Sequence, residues 1–473
     1  MRTPAGFFAF ICLVLMICGA SPAVAHVSEQ AFVLLLPTQA YIIGGCVSVA
    51  ASILLVSLLP KPTVERMFEP RHRARALVPD GARDVTSLLS FLCVCTCVWI
   101  GFNGPRAPLN NILPLMIWTG WWIMLVSLLG IVGDLWLWLN PWRGVYRVVF
   151  GREPATPTMS LPEAWGVWPA WIIFMVFFSF FIADPAPSDP DRLAAVVMSY
   201  WLFTFAGMAL FGGQTWLTRC EAFSVAFALL ARVSPFGEGR SVAFGLPGWD
   251  LNTPRRYTVG LGAFAITLLA AGSFDGLKET FWWLGLIDVN PLEFPGRSAV
   301  ITSSLVGLGL AVAGLIAAFT LICWMSRSIA SMGQNAHTPP STQTVFATLA
   351  PCVLPIAMGY HISHFLVSFL IEGQYLLAAV GDPFANGANL FGLADIRVTS
   401  GFLNTIDSVR TIWLTQAGVV VLGHILSVLV AHHAALKLFK DTRRAALSQI
   451  PLGLFMLGYT LFGLWLLATP RGM

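Results

Sequence analysis

"SAVITSSLVGLGLAVAGLIAAFTLICWMS", residues 298–326, carries no charged side chain from end to end. As a helix rising 1.5 Å per residue it would reach about 43 Å, more than the roughly 30 Å hydrocarbon core of a bilayer. In lipid only a helix satisfies its own backbone polar groups, so such a run reads as a membrane crossing. Nine similar stretches flank it, at about 39–60, 86–103, 112–137, 166–183, 193–213, 257–273, 343–371, 411–435 and 449–468. Asp134 is the one charged residue within these ten runs. Charged residues make up 11% of the chain and apolar residues 57%, against about a quarter charged in soluble proteins, which excludes an ordinary soluble enzyme. The predicted fold is an all-α, polytopic transmembrane helix bundle of about ten spans.

Ahead of the first span, "MRTPAGFFAFICLVLMICGASPAVA" joins a basic start at Arg2 to a short apolar stretch and a small-residue ending at Ala25. That pattern predicts a cleaved signal peptide at 1–25, a mature start at His26, and one integral membrane domain over 26–473. With the mature N-terminus external, the segments expected in the cytoplasm hold 19 Lys and Arg and the external ones 7. Positive charge gathers on the inner side of spanning proteins, so this count predicts a bacterial inner membrane protein with both termini in the periplasm. The lipid bilayer is its expected partner. The basic segments follow from topology and call for no nucleic acid.

Residues 215–233, "TWLTRCEAFSVAFALLARV", put Phe223, Phe227 and Leu230 on one face and Arg219 with Arg232 elsewhere, which predicts a helix lying along the inner interface. The external loops 274–297 and 372–410 are long for connectors, and long ordered loops tend to cover sites. Cys93, Cys95 and Cys97 alternate on a helix and match no zinc module, so they read as small apolar residues.

The chemistry-bearing candidates lie in "MGYHISHFLVSFL", residues 358–370, where His361 and His364 stand one turn apart on one helix face. His424, in "VVVLGHILSVLVAHH", falls at comparable depth on the next, oppositely directed span. Ionisable residues within spans face the bundle interior and mark functional sites, and three imidazoles sharing one layer would suit a metal with an open position. Each histidine taken singly would also be satisfied by a hydrogen bond to a neighbouring helix. Asp275, in "GSFDGLKET", is placed to add a carboxylate from the external side, with Glu279 one turn further on. His432 and His433 sit beside Lys437 at the inner end of their span, an ordinary snorkelling position. His72 and His337 fall in cytoplasmic loops, Asp134 near the inner end of its span, and a processed His26 could chelate a metal such as copper.

Taken in order, "AHVSEQAFVLLLP", "CEAFSVAFALLARVSPFG", "FDGLKETFWW", "GYHISHF", "NLFGLADI" and "VVVLGHILSVLVAHH" resemble the fenitrothion hydrolase-type membrane proteins, across residues 26 to 440. The resemblance implies hydrolysis of organophosphate triesters and carries Asp275, His364 and His424 over as the polar site positions. On that reading His361, His364, His424 and Asp275 would bind a divalent metal, whose bound water is the nucleophile and which acts as a Lewis acid. Tyr360 or Gln416 would orient a small apolar substrate. Two other classes stay open: a b-type haem redox protein using His364 and His424 as axial ligands, and a permease for a metal or small solute using the same histidines.

Overall fold

The structure, a computed structural model, describes residues 33–75, 81–151, 157–237, 241–252, 257–293, 295–332, 340–393, 396–439 and 441–471. The expected leader 1–25, His26 and His337 lie outside the described residues. Each of the ten expected spans is helical: α1 (Thr38–Ser57), α2 (Ala82–Asn103), α3 (Ile112–Val132), α4 (Trp168–Ala183), α5 (Pro190–Phe211), α7 (Val259–Leu277), α8 (Ile301–Ser331), α9 (Leu354–Gly381), α10 (Ile406–Phe439) and α11 (Thr442–Ala468). Among the described residues, nine helical stretches are long and apolar enough to cross a membrane. The exception is α4, whose 16 residues reach about 24 Å.

Helix starts follow local chemistry. Asp189 caps α5 by accepting the Arg192 N–H, with Pro190 in the first helical position, and Asp441 caps α11 through the Arg444 N–H. The middle of α3, Leu115–Leu125, is wound as a π-helix, a form often found beside functional sites.

Two stretches form the centre. In α7, 78% of the most apolar window is buried, and 83% in the stretch Thr342–Gly381 that contains α9, against 17–44% in the other seven crossings. The crossing of α9 and α10 is held by glycine. A Cβ at Gly423 would lie 2.6 Å from the Pro355 carbonyl oxygen, and one at Gly359 would lie 2.9 Å from that of Val419. The two backbones therefore touch, as small residues allow between membrane helices.

The segment expected along the inner interface is a correction. It divides into Gly213–Arg219 and a buried half-helix, α6 (Ala222–Leu230), in which seven of nine residues are buried. Phe223 and Phe227 pack on Trp121, and Phe227 on Trp136, so α6 lies inside the bundle and not on its surface. Its sequence is apolar all round, which suits burial and not an interface. The long external connectors also shrink: α7 runs to Leu277 and is followed by the helix Phe281–Leu286, while α9 and α10 extend to leave 382–405 between them. Beyond the expected all-α plan, three short strands, β1 (His72–Arg75), β2 (Phe236–Gly237) and β3 (Ser241–Phe244), form a small antiparallel sheet in the order β1-β3-β2 on the arginine-rich face.

Candidate functional site

At the face expected to be external, the last turn of α7 meets the middle of α9. Asp275 is buried there, the His364 side chain is 6% exposed, and Oδ2 of Asp275 lies 3.1 Å from Nε2 of His364. The carboxylate accepts the Nε2 proton, and in the neutral imidazole this leaves Nδ1 as the lone-pair nitrogen. Nδ1 is buried with no hydrogen-bond partner among the described residues. An unsatisfied buried acceptor costs about 1–3 kcal/mol, and such groups concentrate where a ligand or a reaction uses them.

A short ladder of charge rises from this pair. Lys278, at the C-terminal cap of α7, is 3.3 Å from the other oxygen of Asp275 and 3.2 Å from Glu279, and Glu279 is 3.7 Å from Arg471. Burial alone would lower the Lys278 ammonium, yet Asp275 and Glu279 beside it hold it above its ordinary value. Arg297 donates to the carbonyls of Asp184 at 2.8 Å and Phe181 at 2.7 Å, and Glu372 accepts from Thr119 at 2.7 Å. These groups line a cleft of about 260 Å³ in which three carboxylates (Asp275, Glu279, Glu372) face three cations (Lys278, Arg297, Arg471).

His364 and Asp275 also line a second, smaller cavity of about 40 Å³, deeper in the bundle, together with Tyr360, His361 and Trp122. A space of this size holds one or two waters. The Tyr360 hydroxyl and His361 Nε2 are buried without partners among the described residues, so the cavity is rich in hydrogen-bonding atoms. His361 packs edge-on against Trp122 and Phe365, at ring separations of 5.7 Å and 5.0 Å. Tyr360 stacks over His364 at 5.5 Å, and its hydroxyl rests where a Cβ on Gly276 would stand.

Thus Asp275, His361, His364, Tyr360 and Glu279 come together around one pair of cavities, and the remaining expected site residues do not join them. His424 is buried on α10, its Nδ1 turned back to the Val420 carbonyl at 2.9 Å, and it lines neither cavity. Gln416 is spent on structure: it donates to the Ser363 carbonyl at 2.8 Å, while its own carbonyl accepts the Ser363 hydroxyl at 2.7 Å, so it ties α9 to α10 and does not orient substrate. His433 stacks on Phe68 at 4.4 Å, and its Nδ1 is 3.3 Å from the Asn252 side chain, so it is buried and packed where snorkelling was expected.

The donor set does not fit the expected metal. Among the described residues no group of three or more His, Cys, Asp or Glu side chains stands where it could hold an ion, whereas a catalytic zinc-type site needs three protein ligands. Nor does it fit haem. His364 offers Asp275 the nitrogen an axial ligand would use, and His424, the other expected axial ligand, lines neither cavity, so the two rings face no common space. The residues that sequence reasoning passed over are Lys278, Arg297, Glu372, Arg471 and Thr119. The alternation of acid and base in "FDGLKE", set against an apolar run, is the signal that marks Lys278. Comparison with protein-family models, curated proteins and solved structures gives no match.

Proposed function

We propose that the chain spans the bacterial cytoplasmic membrane with the charged cleft facing the periplasm and both mature termini on that side, and that the cleft hydrolyses small apolar esters of the organophosphate type. The phrases shared with fenitrothion hydrolase-type proteins motivate the substrate class. The observation that carries the reading is the Asp275–His364 pair, which lines a cleft of about 260 Å³.

The reaction needs no metal. Nδ1 of His364 takes a proton from water as the water oxygen attacks phosphorus, and Asp275 stabilises the imidazolium that forms. The bond from phosphorus to the leaving aryl oxygen then breaks, and a nitrophenolate, already a stable anion, departs unprotonated. Lys278, Arg297 and Arg471 place positive charge around the oxygens where negative charge develops. The proton on His364 returns to bulk water through the cleft.

The test is release of nitrophenol from diethyl 4-nitrophenyl phosphate by the full chain purified in detergent. Turnover in the native chain and its loss in His364→Ala support the reading; no turnover, or equal turnover in the variant, overturns it. One further observation favours a permease as the second reading: a cavity of about 580 Å³ enters the bundle from the opposite face, with α6 between it and the histidines. Solute flux in proteoliposomes that is abolished by the same variant, without hydrolysis, would select that reading.

A further inference from the structure

The cavity on the arginine-rich face is built differently from the charged cleft. It measures about 580 Å³, and Arg143, Arg147 and Arg232 stand on its wall beside Asn140, Thr218 and Asp134. Arg143 and Arg147, one turn apart on the helix Arg143–Phe150, share a single carboxylate, Asp84, through contacts of 3.1 Å and 2.6 Å. Each guanidinium carries five N–H donors, and one from each is spent there. Arg232 has a neutral partner, the Tyr257 hydroxyl at 2.7 Å, and lies over its ring. Three guanidinium groups thus face one shared carboxylate and Asp134, which leaves the cavity with net positive charge.

Much of its remaining wall is apolar, with Leu217, Val225, Leu229 and Leu261, and Gln214 and Ser224 add polar side chains there. Immediately beyond Arg147, the same short helix exposes Val148, Val149 and Phe150. A helix with arginines turned to a cavity and bare aliphatic and aromatic side chains at its end suits the boundary between headgroups and acyl chains.

The geometry points to this cavity as a binding site for a phosphate-bearing anion, supplied by the headgroup of an anionic phospholipid in the leaflet on the arginine-rich side. The planar arginine forks recognise phosphate oxygens in pairs, and the apolar walls receive the start of the acyl chains. This site is separate from the Asp275–His364 cleft and does not depend on the reaction proposed there.

The experiment titrates the full chain in detergent with short-chain phosphatidylglycerol, short-chain phosphatidylcholine and inorganic phosphate, reading binding by intrinsic tryptophan fluorescence. Phosphatidylglycerol is expected to bind at least tenfold more tightly than phosphatidylcholine, with inorganic phosphate competing only weakly. Arg232→Gln and Arg147→Gln should each remove most of that preference. Thr218→Asp, which adds a like charge while leaving every arginine contact in place, should do the same and serves if an arginine variant fails to fold. Equal affinity for the two lipids, or a preference that survives Thr218→Asp, overturns the proposal. Inorganic phosphate binding as tightly as phosphatidylglycerol overturns the lipid as its source.

Discussion

Asp275 and His364 stand 89 positions apart in the chain and 3.1 Å apart in the fold, where the most buried pair of helices brings a carboxylate to an imidazole. On the proposed reaction the carboxylate sets which ring nitrogen is free. Asp275→Asn keeps the size of the side chain and removes its charge, so nitrophenol release should fall by roughly 100-fold or more, the usual worth of a positioned general base. Elution of the variant as a single species on size exclusion, with native thermal unfolding, would show that the loss is chemical. Unchanged release would remove the carboxylate from the mechanism.

Chelation separates the metal-free reaction from the metal-dependent one. Prolonged treatment with EDTA should leave turnover unchanged, and elemental analysis of the purified chain should find no stoichiometric transition metal. Activity lost on chelation and restored by one divalent ion would return His361, His364 and Asp275 to a ligand role.

Asp134 gives a pH signature on the opposite face. It lies two residues beyond the end of α3, and burial pushes its carboxyl up to about 6, more than the Leu137 amide and Arg83 and Arg232 can offset. Its folded value is above the unfolded one, so the folded chain holds this proton more tightly, and stability falls as pH rises from about 4 through 6 before levelling off. Thermal unfolding should therefore show the native chain gaining stability between pH 7 and pH 5. Asp134→Asn should flatten that dependence and raise the midpoint at pH 8.

The contact of α9 with α10 leaves no space for added atoms. Gly423→Ala would bring a methyl against the Pro355 carbonyl, a backbone group that cannot rotate away. A loss of about 1–3 kcal/mol is expected from such overpacking, read as a lower unfolding midpoint in detergent. Gly458→Ala, which meets open space on α11, should be close to neutral and serves as the control.

Orientation can be tested at two exposed positions. A cysteine at Leu390, between α9 and α10, should react with a membrane-impermeant maleimide in intact spheroplasts, and one at Met332, past the end of α8, only after lysis. The reverse pattern would invert the proposed topology.

The ten helices were legible because each must carry its own apolar run, and that requirement is local. The meeting of Asp275 with His364 was legible in part, since the sequence puts Asp275 just past the expected outer end of its span and His364 in the expected outer half of its own. His424 shows where the reading stopped. Depth in the membrane follows from 1.5 Å of rise per residue, but the direction a side chain faces depends on the rotation of its helix about its own axis. On α10 that rotation is set by Gly423 against the Pro355 carbonyl, and it leaves the neighbouring imidazole outside both cavities. The half-helix α6 was misplaced for a related reason: Arg219 and Arg232 gave it the look of a surface element. Both find their partners locally, Arg219 on the carbonyls of Gly166 and Pro162 and Arg232 on Tyr257, which frees the segment between them to sit among aromatic rings.

With their main chains in contact at Gly359 and Gly423, α9 and α10 have no layer of side chains between them at that crossing. A widening of the charged cleft that parted α9 from α7 would pull His364 off Asp275. A chain gaping in that way to load would be chemically idle, and only the shut form would carry an oriented imidazole, so admission and turnover would have to alternate.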